Sequence, residues 1–313
     1  MSFSSDAKKE VLHNGATKRC CLLAEMCAIF AFSGRVNSNA DKHILYITTE
    51  SAALTRRIYN LIKYNFDVTA KIDILKKKQV SKFYYLINVT NRHEIVKMLK
   101  VMGFINNDIS EFSNYKINEK IYAKKCCLKS FVKGAFLAGA SVSDPEKNYH
   151  LEFATSHETL KNSFLKILCE SGFVPKEILR KTNYVLYFKN SDEIADLLSY
   201  VGAYNSLMEV HNAKIMKEMR NNVNRFVNCS TANLDKVVNA ALKQIESINY
   251  LKETGKFDEL SDQLKEIADL RLENTELGLK ELGDMLTPKL SKSGVNHRLK
   301  KIEEIANKYK GSN

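Results

Sequence analysis

A chain of 313 residues exceeds one small core at about 100–200 residues per domain, and 44% hydrophobic with 27% charged residues is the composition of a packed globular protein. Three prolines and twelve glycines exclude collagen-like, proline-rich and low-complexity chains. Forty-eight Lys and Arg against 36 Asp and Glu leave a net charge of +12, which favours an anionic partner, either nucleic acid or a lipid surface.

From the N-terminus, the most apolar early stretch, Met26 to Gly34, is bounded by Glu25 and Arg35 and falls well short of the ~18–20 residues that span a bilayer. A signal peptide would need its hydrophobic region at Cys20 to Glu25, behind a segment that carries Asp6 and Glu10. The expected location is therefore cytoplasmic, and nucleoid-associated where the anionic partner is DNA, with no membrane partner. The seven cysteines show no C-x-x-C and no histidine at zinc-ligand spacing. Free buried thiols are expected, with no metal site and no cofactor.

Cys20-Cys21-Leu22 recurs as Cys126-Cys127-Leu128, an offset of 106 residues. The same offset pairs Ala28 with Gly134, Phe30 with Phe136, Ser33 with Gly139, Val36 with Val142, Leu45 with Leu151 and Leu54 with Leu160. A period this long means duplicated domains rather than a solenoid. In the first copy a helical run over Cys20 to Ser33 precedes β-rich runs at Arg35 to Ser38 and Ile44 to Thr49. A 3,4 spacing at Leu54, Ile58, Leu61 and Ile62 predicts a helix, followed by strands at Val68 to Leu75 and Phe83 to Val89 and a helix at Arg92 to Met102. The order is αββαββα. The second copy repeats it with helices at Lys129 to Gly139, His157 to Cys169 and Asp192 to Tyr200, and strands at His150 to Ala154, Val174 to Arg180 and Tyr184 to Lys189.

Leu137-Ala138-Gly139-Ala140-Ser141-Val142-Ser143-Asp144-Pro145 resembles the nine-residue signature of LAGLIDADG homing endonucleases. Gly134, Ala138 and Gly139 remove bulk so that two such helices can touch along a pseudo-twofold axis. In that family the terminal acids hold divalent metal over DNA. Here the vestigial acid positions are read as Asp144 in copy two and Ser38 in copy one, and one carboxylate without a partner predicts lost cleavage. Gly134 to Ser141 also mimics a phosphate loop, but Ala140 stands where the lysine must reach phosphate. A Gly/Ala-rich helix alone is ordinarily tight packing; the duplication is what favours the LAGLIDADG reading.

Beyond Gly202 the β signals stop, and Asn205 to Tyr309 reads as helical with breaks near Cys229 to Asn233, Gly255, Glu273 to Gly278 and Thr287 to Ser293. Three apolar faces follow: Leu260, Leu264, Ile267 and Leu270 to Leu272; Leu279, Leu282 and Leu286; Val295, Leu299, Ile302 and Ile305. A tight connection at Thr287-Pro288 fits a helix-turn-helix, with a ligand-free bundle as the alternative. Charge separates the two. From Thr287 to Ile302 there are Lys289, Lys292, Arg298, Lys300 and Lys301 with no acid. Ser291 or Ser293 can cap the last helix and leave N–H groups for a DNA phosphate. Asn296, His297 and Arg298 lie just inside that end, where Asn matches adenine and Arg matches guanine. His297 reads as a phosphate contact or an exposed side chain.

The whole chain resembles the WhiA family of bacterial regulators, through Gly134 to Pro145, Arg220 to Asn239 with its Asn222-Val223-Asn224-Arg225-Phe226-Val227-Asn228-Cys229, and Ser291 to Leu299. The resemblance implies an α+β fold: a duplicated LAGLIDADG-like domain, degenerate as a nuclease, followed by an all-α helix-turn-helix domain. The expected boundaries are 1–105 and 106–204 for the repeats, 205–233 for a helical linker and 234–313 for the DNA-binding domain. It further implies a non-enzymatic transcription regulator, tied to sporulation in filamentous actinobacteria and to cell division and chromosome segregation in other Gram-positive bacteria. The lysine- and asparagine-rich usage leans toward the division role. The expected partner is double-stranded DNA, bound by a monomer, with the repeat domain available to a partner transcription factor. Two alternatives stand beside it: a metal-dependent endonuclease retaining Asp144, and a scaffold whose repeat domain binds a protein.

Overall fold

The computed structural model describes residues 2–39, 42–76, 83–112 and 114–310, and the chain divides into two compact units, Met1–Lys217 and Glu218–Asn313.

The first unit is built on two copies of one pattern. Helix α1 (Phe3–His13) precedes the first copy, which runs α2 (Arg19–Ser33), β1 (Gly34–Asn39), β2 (Lys42–Thr49), α3 (Ala52–Phe66), β3 (Lys71–Lys76), β4 (Phe83–Val89) and α4 (Arg92–Val101). The second copy runs α5 (Lys125–Gly139), β5 (Ala140–Val142), β6 (Leu151–Thr155), α6 (Glu158–Glu170), β7 (Lys176–Arg180), β8 (Asn183–Phe188) and α7 (Ser191–Val201). Both sheets are antiparallel with the same topology, β1-β2-β4-β3 and β5-β6-β8-β7. Identical strand order at the 106-residue offset makes the duplication structural. The short strand β5 carries no alternation long enough to read from sequence.

Strand alternation sets the inner faces. Leu45 and Ile47 stand opposite Val89 and Ile87, and Leu151 and Phe153 opposite Phe188 and Leu186; all eight are buried, because successive strand residues point to opposite faces and one face must meet the helices. Helix α3 is amphipathic, burying Leu54, Ile58, Leu61, Ile62 and Phe66, with Ser51 as its cap. Helix α2 is apolar nearly all round, with Leu22 and Ala24 through Ala31 buried, because it packs on α5 as well as on α3 and its own sheet. Gly134 makes that pairing possible: a Cβ there would overlap the Glu25 backbone carbonyl and lie 2.9 Å from the Ala28 Cβ.

Sequence patterning missed α1. It buries Ala7 and Val11, and its Glu10 carboxylate accepts hydrogen bonds from the Asn205 and Ser206 amides (2.7 and 3.1 Å) and the Ser206 hydroxyl (2.6 Å). Those donors open helix α8 (Tyr204–Glu253), so a carboxylate from the far end of the chain caps it. The break expected near Cys229 to Asn233 is absent: α8 runs through it. That stretch is Cys, Ser, Thr, Ala and Asn; all but Ala are weaker helix formers, but unlike Gly or Pro they leave the backbone ladder intact. The boundary between the two units falls inside this helix.

The second unit takes the end of α8 with α9 (Asp262–Glu273), α10 (Leu279–Met285) and α11 (Lys292–Lys310). Ile248, Leu251, Leu264, Ile267, Leu282, Leu286, Val295, Leu299, Ile302 and Ala306 form its core. The spacing of Val295, Leu299, Ile302 and Ala306 is one helical stripe. Among the described residues no helix is long and apolar enough to cross a membrane.

Candidate nucleic-acid interface

Helices α10 and α11 with the turn between them form the helix-turn-helix. Gly283 sets their approach, since a Cβ there would overlap the Leu290 carbonyl and lie 3.1 Å from the Val295 Cγ2; the Leu290 amide donates to the Gly283 carbonyl at 3.0 Å. Arg271 holds the preceding loop. It is 2% exposed, and its Nη1 donates to the carbonyl of Leu277 at 2.8 Å, with longer reaches of 3.4 Å to Asn274 and Thr275. Burial pushes its pKa down. Sequence reading missed Arg271, because nothing local distinguishes a guanidinium folded over carbonyls from one in solvent.

Ser291 caps α11: its Oγ accepts from the Gly294 amide at 3.3 Å and lies 2.9 Å from the Ser293 Oγ. With 3.6 residues per turn, Val295, Leu299 and Ile302 form the inward stripe, and Ser293, His297, Lys300 and Lys301 occupy the opposite side. Those four are exposed, as are Lys289 and Lys292. Asn296 and Arg298 are half-buried on the flanks. Arg298 leans on α9, its Nη1 and Nη2 lying 3.5 and 3.4 Å from the Gln263 carbonyl and side-chain oxygens. Lys289 lies 3.8 Å from Asp284 with its side chain 75% exposed. The nine residues singled out in sequence thus share one end of the domain, with His297 at the centre of the outward face and Asn296 at its edge.

The paired helices of the first unit end at Ser33 and Gly139, as the sequence reading has them, but the positions read as vestigial acids do not sit at those ends. Asp144 lies beyond β5 in a turn, its Oδ1 accepting from the Glu146 amide at 3.0 Å. Ser38 lies on β1, its hydroxyl 2.7 Å from the His43 Nδ1. The helix termini, where a metal-holding acid would have to project, carry Ser33 and Gly139. Ser33 donates to its own helix at the Ile29 carbonyl, 2.8 Å away. A Cβ at Gly139 would overlap the Phe32 ring, so a carboxylate cannot be accommodated there without displacing Phe32. These residues do not fit a divalent metal of the kind the homing endonucleases use. A cleft of about 580 Å³ over the first sheet is lined by Asn37, Ile44, Tyr46, Lys71, Leu86 and Asn88 among others, and the second sheet carries Glu152, bonded to His150 (2.8 Å) and Arg180 (3.2 Å).

One grouping escaped sequence reading altogether. Cys20, Cys21, Cys126 and Cys127 bring their four sulfurs within 4.8 Å of one another. The repeat of the Cys-Cys pair was the available signal, but ligand spacing rules look within one segment and not across a pseudo-twofold axis.

Two αββαββα halves joined through a pair of helices in close contact at Gly134, followed by a helix-turn-helix, define a protein of the LAGLIDADG-like class that carries a DNA-binding type of domain. The chain matches the WhiA N-terminal LAGLIDADG-like domain over residues 19–105, the WhiA LAGLIDADG-like domain over 128–220 and the WhiA C-terminal HTH domain over 223–306. It is 43% identical to a probable cell division protein WhiA of Clostridium tetani, covering 98% of this chain and 97% of that one. It is 39% identical to a protein of the same description from Alkaliphilus metalliredigens, covering 99% of each. The crystal structure of full-length DUF199/WhiA from Thermatoga maritima superposes with a TM-score of 0.59 at 25% identity, covering 98% of this chain and 99% of that one. The chain belongs to the WhiA family.

Proposed function

We propose that the protein is a sequence-specific, DNA-binding transcription regulator linked to cell division and chromosome segregation, that α11 is its reading helix, and that it does not cleave DNA. The observation that carries the reading is the outward face of α11. A capped helix N-terminus, Ser293, His297, Lys300 and Lys301 share it, and no acid occurs from Thr287 to Ile302. Such a face suits phosphate at its start and base edges in the major groove along its first turns. The link to division rests on the description of the relatives. The repeat unit adds salt-sensitive affinity or a surface for a partner transcription factor.

Binding isotherms on a preferred and a scrambled duplex, at several salt concentrations, test this. The preferred site comes from a genome-wide map of bound DNA. Lys292→Ala, Lys300→Ala or Lys301→Ala should weaken all sequences alike and reduce the salt slope by about one unit each. Asn296→Ala and His297→Ala should each lose ~1–3 kcal/mol on the preferred duplex and much less on scrambled DNA if they pair with bases. Arg298→Ala should lose less, because its guanidinium already leans on Gln263. Wild-type affinity in the Asn296→Ala/His297→Ala/Arg298→Ala triple variant on the preferred duplex would remove α11 as the reader.

Cleavage needs metal ligands on both sides of the scissile phosphate, and the absence of carboxylates at Ser33 and Gly139 supports an inert fold. Duplexes incubated with Mg²⁺ or Mn²⁺ should stay intact. Nicking that vanishes in Asp144→Asn would establish the endonuclease alternative instead.

A further inference from the structure

The four sulfurs brought together by the repeat have the dimensions of a metal site. A tetrahedral centre with metal–sulfur bonds of about 2.3 Å separates its sulfurs by about 3.8 Å. Cys20 and Cys21 stand 4.0 Å apart at Sγ, Cys126 and Cys127 3.9 Å apart, and all four lie within 4.8 Å. We propose that Cys20, Cys21, Cys126 and Cys127 form a tetrathiolate site for a soft divalent cation of the zinc class, tying the first repeat to the second.

The surroundings favour thiolates. Each pair occupies the second and third residues of a long helix, α2 or α5, and neither helix has a side-chain cap or an acid in its first turn. The positive ends of two helix dipoles therefore converge on the sulfurs. Lys18, Arg19, Lys124 and Lys125 adjoin the pairs in sequence and offset the double negative charge that four thiolates and one divalent cation leave. Thiols bind a metal as thiolates, so metal binding releases protons and strengthens as pH rises. With four protein ligands the site is closed and structural: no position is left for a substrate. It holds the N-terminal ends of the two helices whose middles meet at Gly134, and it stabilises the folded chain in proportion to the logarithm of free metal.

The test uses the reduced full-length chain under anaerobic conditions, titrated with Co²⁺ and then Zn²⁺. One equivalent of cobalt should produce the intense red-region and thiolate charge-transfer absorption of tetrahedral sulfur coordination, and zinc should abolish it by displacement. Cys20→Ser/Cys126→Ser should reduce cobalt affinity by more than about tenfold, a loss that removing even an outer partner of a metal ligand brings. Cys169→Ser/Cys229→Ser, at two exposed thiols elsewhere, should leave it unchanged. The thermal midpoint of the wild type should rise on loading, and that of the double variant should not, with circular dichroism checking that each is folded. Should the double variant not fold, Cys126→Ser alone, at the exposed member of the four, carries the same reading. No thiolate–cobalt band at stoichiometric metal, or a band of full intensity in the folded Cys20→Ser/Cys126→Ser or Cys126→Ser chain, would overturn the proposal.

Discussion

Arg57→Met is expected to destabilise the first unit by about 3–5 kcal/mol, the loss that follows when one partner of a buried ion pair is removed. Glu25 is 2% exposed, on the helix that pairs the two repeats. Arg57 reaches it from α3 with two bonds, Nε to Oε1 at 2.8 Å and Nη2 to Oε2 at 2.6 Å. Its Nη2 also donates to the Ala16 carbonyl at 3.1 Å, so one guanidinium ties α2, α3 and the segment before α2 together. The carboxylate in turn raises the Arg57 pKa, chiefly by hydrogen bonding. Methionine keeps the length of the stem and removes both hydrogen bonds to the buried Glu25 carboxylate. The double change Glu25→Leu/Arg57→Met should recover most of the loss, because an apolar pair of similar volume needs no desolvation of charge. Hydrogen exchange over α2 and α3, with denaturant unfolding of the whole chain, measures both. A loss for Arg57→Met within the ~0–1 kcal/mol of an exposed ion pair would mean that Glu25 stays hydrated.

Gly134→Val should also destabilise the first unit. The neighbour a Cβ would overlap is the Glu25 backbone carbonyl, with the Ala28 Cβ 2.9 Å away, and neither can swing aside as a long side chain would. Relief requires α2 and α5 to separate, which opens the central contact of the unit. Overpacking of this kind typically costs ~1–3 kcal/mol, and the branched side chain adds bulk beyond the first carbon. Gly294→Ala is the contrasting change. Its added Cβ would come no nearer than 3.5 Å to its neighbours, and an alanine in a helix gains up to about 1 kcal/mol over glycine. The two substitutions should shift unfolding midpoints in opposite directions. A Gly134→Val chain as stable as the wild type would show that α2 and α5 are not in backbone contact.

Much of the architecture was written in local periodicity. The spacing of Leu54, Ile58, Leu61 and Ile62 announced α3, the β-rich runs at Ile44 and Phe83 announced strands of the first sheet, and Val295, Leu299 and Ile302 announced the inward stripe of α11. These signals depend only on which way successive side chains point along a helix or strand, a property of the backbone itself. The duplication was legible for the same reason, since two copies of one pattern repeat their apolar positions. The acid-free run from Thr287 to Ile302 likewise needed no structure to be seen.

What tertiary structure alone decided were the meetings between distant segments. The end of α5 at Gly139 was legible, but what stands there was not: Asp144 lies beyond β5, and the Phe32 ring of the paired helix fills the space a side chain at Gly139 would need. Glu10 caps α8, Arg271 folds over loop carbonyls, and Arg298 turns toward Gln263 and leaves His297 in the middle of the outward face of α11; none of these has a local pattern. The thiol quartet is the clearest instance. Two Cys-Cys pairs 106 residues apart form one cluster only because Gly134 lets α2 and α5 close on each other, and a contact that depends on two helices approaching in space has no period for a single strand of sequence to display.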